Sequence, residues 1–200
     1  MLTTLPNLLT ISRIVAIPAL IGAFYVASPL GNWLALGLFA AAGITDFFDG
    51  YLARVRGEQS VFGRFLDPVA DKLLVAAVLM MLVDVGRIDD WSILAAVIIL
   101  CREIMVSGLR EFLAELRVGL PVSRLAKWKT TAQILALGFL ITSTAGDAVL
   151  PAGWTVLIGV ILLWIAAMLT IYTGYDYLRL GLRHMGDEGY SAPDEDEPGD

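Results

Sequence analysis

Cysteine and histidine are nearly absent from this chain of 200 residues. The single cysteine, Cys101, lies in an apolar stretch, so an internal disulfide is excluded and the sequence does not indicate the redox compartment. The single histidine, His184, lies beyond the last apolar segment, and we assign it no role. Lys and Arg are absent before Arg13, and no small-residue cleavage site follows a short apolar stretch. We therefore expect the first apolar run to be retained rather than removed as a signal peptide.

Basic residues are also absent from residues 187–200, which hold seven of the 20 acidic residues of the chain. Together with its Gly and Pro content, this composition is typical of a disordered, solvated tail. The formal net charge of −6 reflects that tail rather than the rest of the chain. We expect one membrane domain over residues 1–186, followed by the acidic tail over residues 187–200.

Long apolar runs dominate the remainder of the sequence. Hydrophobic residues make up 58% of the chain, which exceeds the roughly half found in soluble domains. Six apolar segments each approach the ~20 residues that a helix needs to cross a bilayer. They span residues 8–27, 33–53, 68–85, 91–109, 128–146 and 153–178. The expected fold class is all-α, an integral membrane protein with six transmembrane helices.

Lys and Arg are distributed unevenly among the predicted loops. The loops at 28–32 and 146–152 have none, whereas 54–66 carries three and 110–129 carries five. Because basic residues mark the cytoplasmic side, both termini and the two basic loops are predicted to face the cytoplasm, in the cell (inner) membrane. Apolar residues recur at helical spacing from Leu109 to Leu116, which favours an extension of the fourth helix or an interfacial segment.

Four carboxylates lie near the ends of the second and third segments, where ionisable groups are costly and usually functional. The spacing places Asp46 and Asp49 on one helical face, and Asp67 and Asp71 on another. Two adjacent antiparallel helices would bring all four together, and hard divalent cations, which prefer oxygen ligands, would relieve their repulsion. The alternative is that the aspartates cap helices or pair with nearby basic side chains. Those are Arg54, Arg56, Arg64 and Lys72.

Small residues accompany these acids. Gly50, Ala53 and Gly63 lie at helical spacing on the acidic faces and leave room for a bulky ligand. Acidic residues beside small ones suit a metal-bound phosphate ester, because two metals stabilise both the entering and the leaving oxygens in phosphoryl transfer.

The acidic segments resemble the signature of the CDP-alcohol phosphotransferases. The matching residues run Asp46-Phe-Phe-Asp49-Gly50-Tyr-Leu-Ala53-Arg54, then eight residues, then Gly63-Arg-Phe-Leu-Asp67-Pro-Val-Ala-Asp71. The resemblance implies six transmembrane helices, a homodimer and two divalent metal ions, Mg or Mn. It also implies Asp46, Asp49, Asp67 and Asp71 as metal ligands, with Asp71 as the general base.

The donor site implied by this resemblance begins at the N-terminus. Residues 5–13 resemble the opening of bacterial family members that synthesise phosphatidylglycerophosphate. An unpaired Arg13 would be costly in a membrane segment, so it is expected to meet a phosphate or an aspartate. Ordinary helix initiation, with Arg13 paired to an acid, remains the alternative. The predicted donor-binding residues are Asn7, Thr10, Arg13, Asp49, Gly50, Ala53, Arg54 and Gly63.

The acceptor is expected to be anionic, because basic residues gather where the fourth and fifth segments approach the cytoplasm. Arg102-Glu103 and the stretch from Ser123 to Gln133 resemble the segments in which related enzymes bind glycerol 3-phosphate. The alternative is that these cations anchor the chain at the bilayer surface. The predicted acceptor-phosphate residues are Arg102, Arg110, Arg124, Lys127 and Lys129.

The resulting hypothesis is a phosphatidyltransferase of phospholipid biosynthesis. It would transfer the phosphatidyl group from CDP-diacylglycerol to sn-glycerol 3-phosphate, giving phosphatidylglycerophosphate and CMP. The same donor with inositol phosphate, serine or phosphatidylglycerol as acceptor is the alternative within this class. Outside it, a divalent-cation transporter with carboxylates along its path stays open.

Overall fold

The protein folds into six α-helices, as seen in a computed structural model that describes residues 5–56, 61–115 and 124–188. The described residues form no β-strand, so the predicted all-α class is confirmed. The helices are α1 (Leu5–Phe24), α2 (Leu30–Arg56), α3 (Val61–Asp84), α4 (Ser92–Glu115), α5 (Arg124–Thr142) and α6 (Trp154–Glu188), and a 3₁₀ helix (Ser143–Ala148) follows α5.

Two groups of helices build the bundle. In one group α1 packs against both α2 and α3, and in the other α4 and α5 pack against α6. Contacts between α2 and α5 join the groups. The core consists of aliphatic side chains from all six helices, including Leu20, Ala35, Val78, Ile99, Leu137 and Leu163. Successive helices alternate in direction, so the start of α1, the end of α2 and the start of α3 lie at one end of the bundle.

The outer surface of the bundle carries large apolar side chains. Val15, Met80 and Met168 are each about two-thirds exposed, at 67%, 69% and 65%. Apolar exposure on this scale indicates an apolar environment around the bundle rather than water. Among the described helices, Ser92–Leu113 and Trp154–Arg179 are long and apolar enough to cross a membrane, and Leu8–Phe24 is apolar but shorter.

Helix α3 begins at Val61, seven residues before the apolar segment predicted at 68–85, and so includes the stretch from Gly63 to Asp71 for which helical spacing was predicted. Pro68 suits the first turn of a helix, but here it lies inside α3. Two side-chain contacts stabilise the helix around it: Lys72 Nζ donates to the carbonyl oxygen of Pro68 at 2.8 Å, and Asp67 accepts from Thr10 of α1. The contact with α1 is tertiary, so the local sequence did not reveal it.

Two other boundaries also differ from the prediction. α4 continues to Glu115, so an extension of the fourth helix is the observed form of the amphipathic segment as far as that residue. α6 continues ten residues beyond the predicted end at 178, and residues 187 and 188, assigned to the tail, are helical. Residues 189–200 lie outside the described part of the chain.

Arg87 fastens the loop between α3 and α4 to the end of α5. Its Nη1 donates to the carbonyl oxygens of Leu140 and Ile141 at 3.2 and 2.5 Å, and its Nη2 donates to Asn32 Oδ1 at 2.6 Å. Burial lowers the pKa of the Arg87 guanidinium. These acceptors include carbonyls of the last turn of α5, which have no partner within the helix. The network therefore fixes the end of the bundle opposite the predicted site.

Candidate active site

Three of the four predicted aspartates line one cavity. Asp46 from α2 and Asp67 and Asp71 from α3 line a space of about 970 Å³, called the polar cavity below. Regular helix explains the placement: α2 stays helical through the motif to Arg56, and α3 is already helical at Asp67. Three of the four aspartates therefore meet in one cavity, but not through the predicted packing of α2 on α3: α1 packs against both helices, and direct contacts between the described residues of α2 and α3 are few.

Helix α1 supports the acidic side of the polar cavity. Arg13 Nη1 lies 2.7 Å from Asp46 Oδ1, and Thr10 Oγ1 donates a hydrogen bond to Asp67 Oδ1. Both α1 side chains are buried, whereas the Asp46 side chain is about half exposed, at 49%. Of the two partners expected for Arg13, the structure therefore shows an aspartate. The contacts with Thr10 and Arg13 orient the carboxylates of Asp67 and Asp46, so these carboxylates face the cavity in defined directions.

The basic residues predicted for the acceptor line the same cavity. Arg102 and Arg110 come from α4, and Lys127 and Lys129 come from α5. The described lining contains five acidic and five basic side chains, so its formal net charge is zero. The acidic members are Asp46, Asp67, Asp71, Glu103 and Glu111, and the basic members are Lys72, Arg102, Arg110, Lys127 and Lys129.

Glu103 is a site residue to which the sequence reasoning gave no role. Its Oε1 accepts a hydrogen bond from Lys129 Nζ and lies 3.7 Å from Arg102 Nη1. Lys129 is 4% exposed, so its charge needs an anionic partner nearby. The sequence did contain a signal for Glu103, because it is an acidic residue within an apolar segment. Such residues are usually functional in a membrane helix.

Arg102 is held mainly by α6. Its Nη2 donates to Thr173 Oγ1 at 2.8 Å, and its guanidinium carbon lies 5.7 Å from the centre of the Tyr177 ring. Gly174 leaves room for this side chain, because a Cβ there would lie 3.0 Å from Arg102 Cγ. The second half of α6 thus positions a cation of the polar cavity, a role the sequence reasoning did not assign.

A second cavity of about 830 Å³ opens beside the first and is called the apolar cavity. Asp46, Asp71, Thr130 and Ile134 line both cavities, so the two are continuous. From Asp46 the apolar cavity follows α2 back to Trp33, a distance of about 20 Å at 1.5 Å per residue. Most of its remaining lining is aliphatic or aromatic, from α2, α3 and α5.

Several predicted site residues have side chains outside the described part of the structure. Their backbones lie in α1, α2 and the first turn of α5. They are Asn7, Asp49, Gly50, Ala53, Arg54 and Arg124. Gly63 is described and buried, one helical turn before Asp67.

The carboxylates of the polar cavity fit hard divalent cations in their chemistry. All three provide oxygen donors, and α1 already orients two of them. Among the described side chains, no three His, Cys, Asp or Glu residues form a group tight enough to hold an ion. The side chain of Asp49, the fourth predicted ligand, is outside that description.

A family model for CDP-alcohol phosphatidyltransferases matches residues 3–172, which include every described helix except the end of α6. The chain belongs to this family. The resemblance predicted from the aspartate motif is thus confirmed, and the protein is an enzyme of the phosphatidyltransferase class from a membrane-embedded family.

Curated relatives cover nearly the whole chain. A protein of Rickettsia bellii is 50% identical over 175 residues, which cover 88% of this chain and 93% of the relative. One of Haemophilus influenzae is 42% identical over 178 residues, covering 88% and 92%. One of Pseudomonas fluorescens is 42% identical over 191 residues, covering 92% and 93%. Each is named CDP-diacylglycerol–glycerol-3-phosphate 3-phosphatidyltransferase.

Proposed function

We propose that this enzyme transfers the phosphatidyl group of CDP-diacylglycerol to sn-glycerol 3-phosphate, giving phosphatidylglycerophosphate and CMP in phospholipid biosynthesis. The shared name of its relatives supports these substrates. The observation that carries the proposal is the composition of the polar cavity. Carboxylates suited to metals lie on α2 and α3, and cations suited to a phosphate lie on α4 and α5.

Four aspartates would hold two divalent ions, Mg or Mn, in this enzyme. They are Asp46, Asp49, Asp67 and Asp71. When bound, the ions supply positive charge that stabilises the entering and leaving oxygens of the transferred phosphoryl group. The neutral lining of the polar cavity supports this proposal, because a diphosphate donor and a phosphorylated acceptor add negative charge that the described side chains do not balance.

The donor would place its diphosphate at the aspartates and an acyl chain in the apolar cavity. The two cavities share Asp46 and Asp71, so a lipid whose head reaches these carboxylates can leave its tail between α2 and α5. The cavity length of about 20 Å along α2 is similar to the ~15 Å half-thickness of the bilayer hydrocarbon. Residues Asn7, Gly50, Ala53, Arg54 and Gly63 would complete the donor site.

Asp71 is the proposed general base. It lines both cavities, and no hydrogen bond or ion pair joins it to another described residue. Asp71 would take the proton of the acceptor hydroxyl as that oxygen bonds to the β-phosphorus of the donor. The bond from this phosphorus to the oxygen of CMP breaks, and CMP leaves. Arg110, Arg124, Lys127 and Lys129 would hold the acceptor phosphate, with Arg102 beside them.

The enzyme is further proposed to be an inner-membrane homodimer with six spans, and with its termini and polar cavity facing the cytoplasm. Uneven Lys and Arg placement supports the orientation. A cation transporter is a poorer fit, because its path needs polar groups through the membrane. Here the charged lining lies at one end, and the continuing cavity is apolar.

An acceptor panel tests the proposed function. Purified protein in detergent, with CDP-diacylglycerol and Mg or Mn, is given radiolabelled glycerol 3-phosphate, inositol phosphate, serine or phosphatidylglycerol. We expect CMP release and a labelled lipid product with glycerol 3-phosphate. Preferred turnover of another acceptor would contradict the assigned acceptor while keeping the family. Absence of turnover with all four would contradict the proposed reaction.

A further inference from the structure

Glu103 is an acid of the polar cavity that the proposed reaction leaves without a role. It projects from α4, whereas Asp71 belongs to α3 and Lys129 to α5. Its Oε1 contacts Lys129 Nζ, and it lines the same cavity as Asp71. Glu103 therefore contacts a cation proposed to hold the acceptor phosphate and shares a cavity with the proposed base.

The second carboxylate oxygen of Glu103 keeps its capacity to accept a hydrogen bond. Both contacts of this side chain with described residues, to Lys129 and Arg102, use Oε1. No hydrogen bond or ion pair within the described part of the chain engages Oε2. The side chain is 18% exposed and lines the cavity. An ionised carboxylate has several acceptor positions, so a hydroxyl of a bound molecule can pair with it there.

Glycerol 3-phosphate has three groups in a row: the attacking hydroxyl, a hydroxyl on the middle carbon, and the phosphate. With the attacking hydroxyl at Asp71 and the phosphate at Lys129, the middle of the molecule would lie in the cavity that Glu103 also lines. We infer that Glu103 accepts a hydrogen bond from the middle hydroxyl and thereby selects acceptors that carry it. This inference rests on the proposed function and adds a specificity-determining residue to it.

A structural role for Glu103 makes a different prediction. If it only compensates the charge of buried Lys129, its removal changes the binding of every phosphorylated acceptor by a similar factor. If it also binds the middle hydroxyl, its removal harms only acceptors that have this hydroxyl. The two roles therefore separate in the ratio of kcat/KM values for two acceptors that differ by that single group.

The experiment compares sn-glycerol 3-phosphate with propane-1,3-diol monophosphate, which lacks the middle hydroxyl. We expect the natural sequence to prefer glycerol 3-phosphate in kcat/KM by roughly ten- to a hundredfold, the range for a hydrogen bond to a charged group. Glu103→Ala should bring the ratio close to one. Glu103→Gln keeps the side-chain volume and a weaker acceptor, so its ratio should fall in between. Glu111→Gln, an exposed acid of the same cavity and helix, should keep the natural ratio.

Three results would overturn the inference. One is equal use of both acceptors by the natural sequence, which needs no variant and so does not depend on the folding of Glu103→Ala. Another is an unchanged ratio in both Glu103 variants, even if their absolute activity falls. The third is no turnover of glycerol 3-phosphate by the natural sequence, which removes the proposed function as well. The first two leave the proposed function in place.

Discussion

The aspartates of the polar cavity differ from one another in the side chains that they contact. Asp46 and Asp67 each contact a buried side chain of α1, whereas Asp71 has no such contact among the described residues. A carboxylate that such a contact holds in place keeps a fixed orientation, which suits a metal ligand. A carboxylate without a protein partner is available to take a proton, which suits the base. Asp71 is therefore the aspartate proposed to act as the base in addition to its proposed role as a metal ligand.

Asp46→Asn and Asp67→Asn should each abolish turnover while the protein stays folded in detergent. Loss of a side chain that merely orients a metal ligand costs about ten- to a hundredfold, so loss of a ligand should cost more than roughly a hundredfold. Turnover assays with Mg or Mn, with and without chelator, measure this effect. Asp84→Asn, an exposed acid at the other end of α3, is the matched control and should stay active. Full activity in chelator would contradict the proposed metal dependence.

Lys129→Ala should raise the KM for glycerol 3-phosphate far more than the KM for CDP-diacylglycerol. The change removes a charge-assisted hydrogen bond to the acceptor phosphate, and about 2–4 kcal/mol is expected if that phosphate is desolvated. Lys127 and Arg110 are exposed, so their replacement by Ala should act in the same direction with a smaller effect. Both KM values are measured for each variant. Small, equal changes for both substrates at all three positions would instead indicate that these cations anchor the chain at the lipid surface.

Among the helices, α2 serves both proposed halves of the donor site. Its C-terminal part carries Asp46 and the rest of the first motif, and its earlier turns line the apolar cavity from Trp33 onward. Two glycines of this helix differ in their position relative to the apolar cavity. A Cβ built at Gly37 or at Gly43 meets no atom within 4 Å, but only Gly43 lines the cavity. A Cβ is therefore accommodated at either position, and only at Gly43 does the added side chain start from the wall of the apolar cavity.

Gly43→Phe should raise the KM for CDP-diacylglycerol with long acyl chains and leave the KM for glycerol 3-phosphate nearly unchanged. The ring occupies space proposed for an acyl chain, so a donor with short chains should be affected less. Kinetics with donors of two chain lengths measure the difference. Gly37→Phe is the control on the same helix and should behave like the natural sequence. An equal response of both variants would place the donor tail outside the apolar cavity.

Considered as a whole, the molecule has two ends, along the direction of its helices, that differ in their charged residues. Every charged residue proposed to bind substrate or metal lies at one end of the bundle, where α1, α3 and α5 begin and α2, α4 and α6 end. The opposite end has the Arg87 network and loops without further basic residues. In a bilayer this arrangement places the reaction at one surface, where a soluble acceptor and a lipid donor can meet.

Cysteine labelling tests the proposed orientation. In a background with Cys101 replaced by Ser, cysteines at the exposed Ser28, in the loop after α1, and at the exposed Ala148, the last residue of the 3₁₀ helix, should react with an impermeant reagent added to intact cells. Neither connection contains a basic residue. A cysteine at Glu58, in the basic loop between the two motifs, should react only after the cells are opened. This difference follows from the preference of basic loops for the cytoplasmic side. The reverse pattern would overturn the orientation.

Local patterns were sufficient for the fold class and the family of this protein, and for the expectation that three aspartates lie close together. The apolar runs have about the length that a helix needs to cross the hydrocarbon layer of a membrane. On regular helices, the spacing of Asp46, Asp67 and Asp71 determines which helix face each of them occupies. The aspartates therefore met in one cavity as predicted. The roles of Asp49 and Arg124 remain predictions, because their side chains lie outside the described part of the structure.

Tertiary structure alone decided which side chains meet across helices. Arg13 had two possible partners in the sequence, and the packing of α1 against α2 places it beside Asp46. The pairing of Glu103 with Lys129 joins residues 26 positions apart, and α6 reaches Arg102 through Thr173, 71 positions away. No local spacing encodes such contacts, because they depend on how whole helices pack.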